Sequence, residues 1–346
     1  MAEPRTLNLF EQQASNRRKS WVLVGAFLLF FLWLGLGGDL ILWLSTQGAG
    51  ATGGYQHRVP WLGLAMGAVA LFLVGDVLRN GAKKVLWTTG AQPLDAAKTP
   101  EEQQLLNVVE EMSIAAGLPR PKVYVVPDPD PNAFVTGTRP LEAHLAVTAG
   151  LLGVLDRDEL QAVVAHEMGH VKNEDTRLMT LMAGIAGAIL LIRDGVGRVF
   201  LRGGRIGGRG RGRGNGGGGN NPLILLLVAV WVLSWLLAPL VTRLLAMGVS
   251  RKREYLADAM AAQFTRNPAA LASALDKIEQ HHAPTKAISS GVAHLCIADP
   301  TGRLSNDREG RIWDLFATHP PMRNRVARLR AMAFQAAKRA GDIAPS

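Results

Sequence analysis

The chain has 346 residues, 48% of them apolar, a formal net charge of +10 and a single cysteine, Cys296. The length suggests two or three folding units, and the apolar share is high for a soluble protein of this size. One cysteine excludes an internal disulfide and fits a reducing compartment, and the lack of a phosphate-cradling glycine loop gives no sign of ATP-driven work within the chain.

The apolar excess is segmental. Trp21 to Leu44 is nearly continuous, broken only by Gly35, Gly37, Gly38 and Asp39, and is long enough to cross a bilayer. It starts too far in, and its apolar core is too long, for a cleaved signal, so it reads as a retained anchor. A second run covers Pro60 to Leu78. Arg17, Arg18 and Lys19 precede the first span and Arg79, Lys83 and Lys84 follow the second, whereas the connector between them carries only Arg58. The basic flanks belong in the cytoplasm, which puts the tail of residues 1–20 and the start of the chain after residue 79 on that side. The positive charge is then a membrane-protein signature. Asp39 and Asp76 lie at the ends of apolar runs and read as interfacial residues.

Residues 82–177 look like a soluble α+β piece. Glu101 to Ala116 has helical spacing of Leu105, Val108, Val109 and Met112 and stops at Gly117. Lys122 to Val126 is a strand by composition, Pro127 to Pro131 a stiff turn, and Asn132 to Thr136 and His144 to Thr148 two further short strands. An extended polypeptide could add to the edge strand at Asn132, Ala133 and Phe134 by main-chain hydrogen bonds.

Next, the acidic opening Asp156-Arg157-Asp158-Glu159 suits a helix N-terminus and leads into Leu160, Ala162, Val163, Val164 and Ala165, then His166-Glu167-Met168-Gly169-His170. On a helix the two histidines stand one above the other and can present two imidazole nitrogens to one point, an arrangement suited to Zn²⁺. Glu167, beside the first of them, is placed to take a proton from a water that zinc has acidified.

A third apolar run, Leu178 to Ile192, has 15 residues, about 22 Å of helix against a ~30 Å hydrocarbon core. A fourth covers Leu223 to Val241. Between them, Gly195 to Asn221 is almost pure Gly and Arg, a composition that cannot bury apolar area and predicts disorder. It lacks the interleaved aromatics that stack bases, which argues against nucleic acid as a partner. A fully spanning hairpin of runs three and four puts this basic loop outside, against the charge bias; a partly embedded hairpin keeps it in the cytoplasm. Both readings stay open, with four membrane segments preferred.

A third metal ligand is expected on a separate helix, and the candidate stretch is Ser250 to Asp258, where Glu254 and Asp258 share a face. One can ligate while the other accepts the N–H of a ligating histidine. Helical patterns follow at Pro268 to Gln280 and at Pro321 to Arg339, whose Arg323, Arg325, Arg328 and Arg330 suit lipid headgroups or a solvated face. His281 and His282, being adjacent, cannot share a helix face and read as loop residues.

Several stretches together resemble the M48 zinc metallopeptidases, specifically the HtpX-like bacterial membrane proteases: Asn132 to Gly137, Ala146 to Leu152, Leu155 to Leu160, His166 to His170 with Val171 to Asp175, Ser250 to Asp258, and Phe316 to Pro321 with Arg325. The resemblance implies one Zn²⁺ held by His166, His170 and Glu254, with Glu167 as general base and Asp258 in support. It also places His319 near the site as a donor to the oxyanion, Arg325 as a holder of that loop or of substrate, and Asn132 as a substrate contact. The fold it implies is α+β and mostly helical: a zincin-like peptidase domain in two halves, 82–177 and 249–346. Two N-terminal spans lie within 21–81, and the hydrophobic hairpin 178–248, with its loop 195–221, is inserted in the domain. The expected protein is a multi-pass enzyme of the bacterial cytoplasmic membrane, its site facing the cytoplasm, cleaving damaged or misfolded membrane proteins. The competing readings are a narrow-specificity peptidase of the prenyl-protein-processing branch and a non-catalytic adaptor holding zinc only for structure. Cleavage preference, oligomeric state and activity trigger have no sequence signature here.

Overall fold

The computed structural model describes residues 9–46, 59–185, 187, 225–234, 236, 237, 251–285, 287, 288, 292–298 and 320–340. The Gly/Arg loop 195–221, His319, the residues 316–318 before it, and parts of runs three and four lie outside these.

Two compact units emerge. One comprises residues 21–77 and 185–243, the other residues 1–20, 78–184 and 244–346. The first is built around residues 21–46 of α1 (Leu9–Thr46) and residues 61–77 of α2 (Trp61–Thr88), helices both long and apolar enough to cross a membrane. A shorter apolar helix, Leu225–Ser234, belongs to the same unit. Leu29, Trp33, Leu64, Leu71, Phe72 and Leu226 leave large apolar surface exposed there, which suits lipid as the surrounding medium.

The glycines that interrupt the first apolar run do not break α1. They are where other helices come close: a Cβ on Gly35 would stand 2.7 Å from the Cα of Gly63, and Trp231 lies against Gly37 while its indole N–H donates to Leu34 O at 2.8 Å. Small residues let helix backbones approach in this way where lipid offers no hydrophobic drive. Asp39 is fully buried. Its carboxylate accepts from the backbone N–H groups of Leu62 at 3.3 Å and Gly63 at 2.8 Å, in the first turn of α2. An acidic group at the positive end of a helix satisfies N–H groups that have no partner within it. Asp39→Ala leaves those donors buried without it, so a loss of about 1–3 kcal/mol is expected, read as a lower denaturation midpoint in detergent.

In the other unit the elements follow sequence logic closely. Helix α3 (Pro100–Ala116) is capped by Thr99, whose side chain accepts from Glu102 N, with Pro100 in the first turn. Its apolar face of Leu105, Val108, Val109 and Met112 is buried in the main core. Four strands, β1 (Gln92–Pro93), β2 (Lys122–Val126), β3 (Ala133–Thr136) and β4 (His144–Thr148), form one sheet in the order β1-β2-β4-β3. The β2–β4 pair is parallel and the other two are antiparallel, which leaves β3 as an edge. The short helix α4 (Ala149–Val154) leads to α5 (Arg157–Lys172). At the start of α5, Asp156 accepts from Glu159 N while the Glu159 side chain accepts from Asp156 N, a reciprocal cap. Glu159 also takes Lys277 and Ser273, which ties this helix start to α7 (Pro268–Gln280). Later in the chain come α6 (Arg251–Thr265) and α8 (Met322–Ala340).

Helix α5 is the centre of this unit. Twelve of its residues are buried, from Glu159 to Val171, including both histidines and Glu167. Helix α6 crosses it closely: a Cβ on Gly169 would lie 3.3 Å from Ala257 Cα. That glycine, between the two histidines of the motif, sets how near the carboxylates of α6 can come.

Candidate metal centre

His166 and His170 face α6 from one side of α5, with their Nε2 atoms 3.2 Å apart. Glu254, in the first turn of α6, brings Oε1 to 3.5 Å from His170 Nε2 and Oε2 to 3.7 Å from His166 Nε2. Four donors arranged tetrahedrally around Zn²⁺ at its usual 2.0–2.1 Å stand about 3.3 Å from each other, close to these separations. All three side chains are buried, and one donor atom from each lies within 4.8 Å of the others.

The far nitrogen of each imidazole meets a carboxylate. Asp258 Oδ1 is 3.0 Å from His166 Nδ1, and Asp175 Oδ2 is 3.2 Å from His170 Nδ1. Such partners select the tautomer that leaves Nε2 with its lone pair toward a metal. Arg325 holds Asp258 through two parallel bonds, Nε to Oδ2 at 2.9 Å and Nη2 to Oδ1 at 2.7 Å. Its Nη1 donates to Ile297 O at 2.9 Å and lies 3.3 Å from Glu254 Oε2. Arg325, expected to hold that loop or substrate, is fully buried and bonded to Asp258 and Ile297 O behind the histidines.

Asp175 had no assigned role in the sequence, and its position explains why. Helix α5 ends at Lys172, and Glu174 adopts a left-handed backbone, φ 56°, which turns the chain so that Asp175 returns beneath His170. No helical spacing signals that return. Asn173 Nδ2 donates to Asp175 Oδ2 at 3.0 Å, and Arg253 Nη1 lies 3.5 Å from Oδ1.

Burial, opposed chiefly by the Asp258 hydrogen bond, holds the His166 pKa below the ordinary imidazole value. At His170 burial also works against charge, but the Asp175 hydrogen bond and the carboxylates of Glu254, Asp175 and Glu167 outweigh it and push the group up to about 9. This cluster of acids around two imidazoles thus favours a protonated His170. A metal must displace that proton, so apparent metal affinity should rise about tenfold per pH unit below roughly pH 9. Chelator competition at several pH values, with proton release followed by an indicator dye, checks the slope; a flat profile contradicts it.

Glu167 lies one residue beyond His166 and is 1% exposed, and among the described residues its carboxylate oxygens make no hydrogen bond of ordinary geometry, the Val135 backbone N–H giving only a weak contact. Burial pushes its pKa up to about 7, helped by the Glu254 charge and opposed by His170, Arg325 and the nearby backbone N–H of Val135. A buried acid with no partner is costly unless a ligand completes its surroundings.

The edge of β3 is already in use. Ile297 N donates to Ala133 O at 2.9 Å in a single bridge around Phe134 and Cys296, and Gly137 N donates to Thr180 Oγ1 at 3.0 Å. Asn132, fully buried, donates from its amide to Ala298 O at 2.9 Å, and its side-chain oxygen accepts from Ala133 N. The side chain that was expected to touch substrate is clamping the 296–298 segment, and a strand added along the whole of 132–137 has no free edge to join.

Residues 99–333 match the model of peptidase family M48. The chain belongs to peptidase family M48. It is 40% identical over 330 residues to a protein named Protease HtpX homolog from Caldanaerobacter subterraneus subsp. tengcongensis, covering 94% of this chain and 98% of that one. Similar matches are 37% identity to the homolog of that name from Thermoanaerobacter pseudethanolicus and 35% to that from Streptococcus gordonii, covering 94% of this chain in both cases and 98% and 100% of those proteins. The crystal structure of S. mikatae Ste24p is a more distant neighbour, with TM-score 0.43 and 18% identity over 92% of this chain; the chain spans 66% of that one. This M48 protein is a membrane-bound bacterial metalloprotease: bacterial HtpX homologues match it nearly end to end, and α1 and α2 supply two candidate spans. The M48 family accounts for a need for metal, and the His166–His170–Glu254 cluster is where the described residues could hold one.

Proposed function

We propose that His166, His170 and Glu254 hold one zinc ion, that Glu167 is the general base, and that Asp258 and Arg325 keep the ligands in register. The observation that carries this reading is Glu254 reaching both histidine Nε2 atoms, at 3.5 and 3.7 Å, beside the buried and poorly hydrogen-bonded carboxylate of Glu167. Zinc bound there supplies Lewis acidity, polarising the scissile carbonyl and acidifying water. Glu167 takes the proton of the attacking water on a carboxylate oxygen and passes it to the leaving nitrogen; burial tunes it toward that exchange near neutral pH. Residue direction alternates along a strand, so Val135 points its N–H and C=O to the same edge as Ala133 and Gly137. With those two neighbours engaged, Val135 is the β3 residue left on that edge for a substrate main chain, with its N–H shared with Glu167. His319, by family resemblance, assists the oxyanion.

The organisation proposed is two spans within 21–81, peptidase halves at 82–177 and 249–346, and a membrane hairpin within 178–248, with the site on the cytoplasmic side of the inner membrane. The substrates are misfolded or damaged membrane proteins. The restriction of the β3 edge to one residue favours a second reading, a peptidase with one narrow substrate class. Purified full-length protein loaded with zinc separates the two: cleavage of casein and of an unfolded membrane protein supports the broad role, whereas cleavage confined to a prenylated C-terminal peptide overturns it. Cytoplasm-side reagent access to a cysteine placed at Gly210 overturns the fully spanning hairpin.

A further inference from the structure

The residues that lead into the first apolar run lie against the end of the metal-site helix. Residues 9–20 of α1 fall in the same compact unit as α5 and α6. From them, Gln13 Nε2 donates to Lys172 O at 2.6 Å, and Asn16 Nδ2 donates to both Asn173 O at 2.9 Å and Asp175 Oδ1 at 2.7 Å. Gln13 and Asn16 are three apart and so share a helix face. Asn16 is 3% exposed although it sits in a polar, basic stretch, Asn16-Arg17-Arg18-Lys19, whose other members are exposed. Ser20 Oγ in turn donates to Asn16 O at 2.9 Å.

These contacts do two things. They satisfy carbonyl groups at the C-terminal end of α5, where the helix itself provides no donors. They also hold the oxygen of Asp175 that His170 does not use. Asp175 Oδ2 meets His170 Nδ1 and Asn173, so Asn16 acts on the opposite oxygen, with Arg253 farther off at 3.5 Å. A carboxylate fixed at both oxygens cannot rotate away from the imidazole it orients.

We propose that Asn16 is a positioning residue of the metal centre, acting through Asp175 on His170, so that the stretch entering the first span is part of the peptidase site. This rests on the assignment of His170 as a zinc ligand. Asn16 touches neither metal nor substrate; its effect is on how well His170 is aimed. An acid at this position faces Asp175 with like charge, so Asn16→Asp, nearly the same shape, should be worse than Asn16→Ala. Arg17, whose guanidinium meets Glu174 at 3.3 Å on the exposed side, is the control.

The test uses the full-length protein in detergent and measures zinc affinity by competition with a chromophoric chelator, together with the visible spectrum of the Co²⁺ form. Asn16→Ala should weaken zinc about tenfold and Asn16→Asp more, with Arg17→Ala unchanged, since partners behind metal ligands are worth roughly 10–100-fold. In an Asp175→Ala background, Asn16→Ala should have no further effect. Thermal unfolding of the metal-free variants separates aiming from folding: a drop for Asn16→Ala equal in both backgrounds indicates a general structural role and overturns the proposal. Wild-type zinc affinity and Co²⁺ spectrum in both Asn16 variants also overturn it. If His170→Ala keeps zinc at wild-type affinity, the ligand assignment itself is what fails.

Discussion

Glu167→Gln should lower peptide hydrolysis by roughly two to four orders of magnitude while zinc stays bound, the range usual for loss of a general base. The substitution keeps size and removes the proton-accepting oxygen pair, so it tests the proton role apart from packing. It should also stabilise the metal-free protein. A carboxyl whose folded pKa is about 7 against an ordinary 4.5 is disfavoured in its charged form by folding. The penalty is absent below about pH 4.5, grows as pH rises to about 7, and is constant above it. Glutamine is never charged, so its advantage should be absent in acid and on the order of 3 kcal/mol above neutrality. Melting temperatures of metal-free wild type and variant across that range check the sign. A variant that loses activity and zinc together, or that is destabilised equally at all pH values, contradicts the assignment.

Arg325→Met should be the most damaging single change behind the site. Arg325 neutralises Asp258 through two bonds, balances Glu254 and ties Ile297 O, all with no exposure to water. Removing one partner of a buried pair leaves its counter-charges uncompensated and costs about 3–5 kcal/mol. For a unit of this size that lowers the melting temperature by on the order of 10 °C. Asp258, released from the guanidinium, no longer fixes His166, so zinc content should fall as well. Arg325→Lys keeps the charge but cannot make the planar two-bond contact, and should recover stability only in part. Thermal unfolding and metal analysis on the three proteins decide this; an Arg325→Met protein with wild-type melting and zinc content removes Arg325 from the centre.

What could be read from the chain alone is what depends on near neighbours. The start of α5 is written in Asp156 and Glu159, the pairing of His166 with His170 in a four-residue spacing, and strands β2 and β4 in runs of β-branched and apolar residues. The two long apolar helices are equally local, because twenty apolar residues satisfy their own backbone and need no partner to identify them. The four-residue spacing of Glu254 and Asp258 marked the stretch for a third ligand, though spacing could not say which of the two reaches the histidines.

The tertiary structure decided the rest, because the deciding contacts join residues far apart in sequence. Gly169 looks like any helical glycine until α6 crosses it at Ala257. By spacing Arg325 reads as one of several surface arginines in α8, and family likeness only brings it near the site; burial against Asp258 is what removes it from solvent. Asp175 is hidden by a left-handed turn at Glu174, and Asn16 by some 159 residues of intervening chain. Periodicity records which face of an element is apolar; it carries no information about which other element will cover that face, and a metal centre is made where such faces meet.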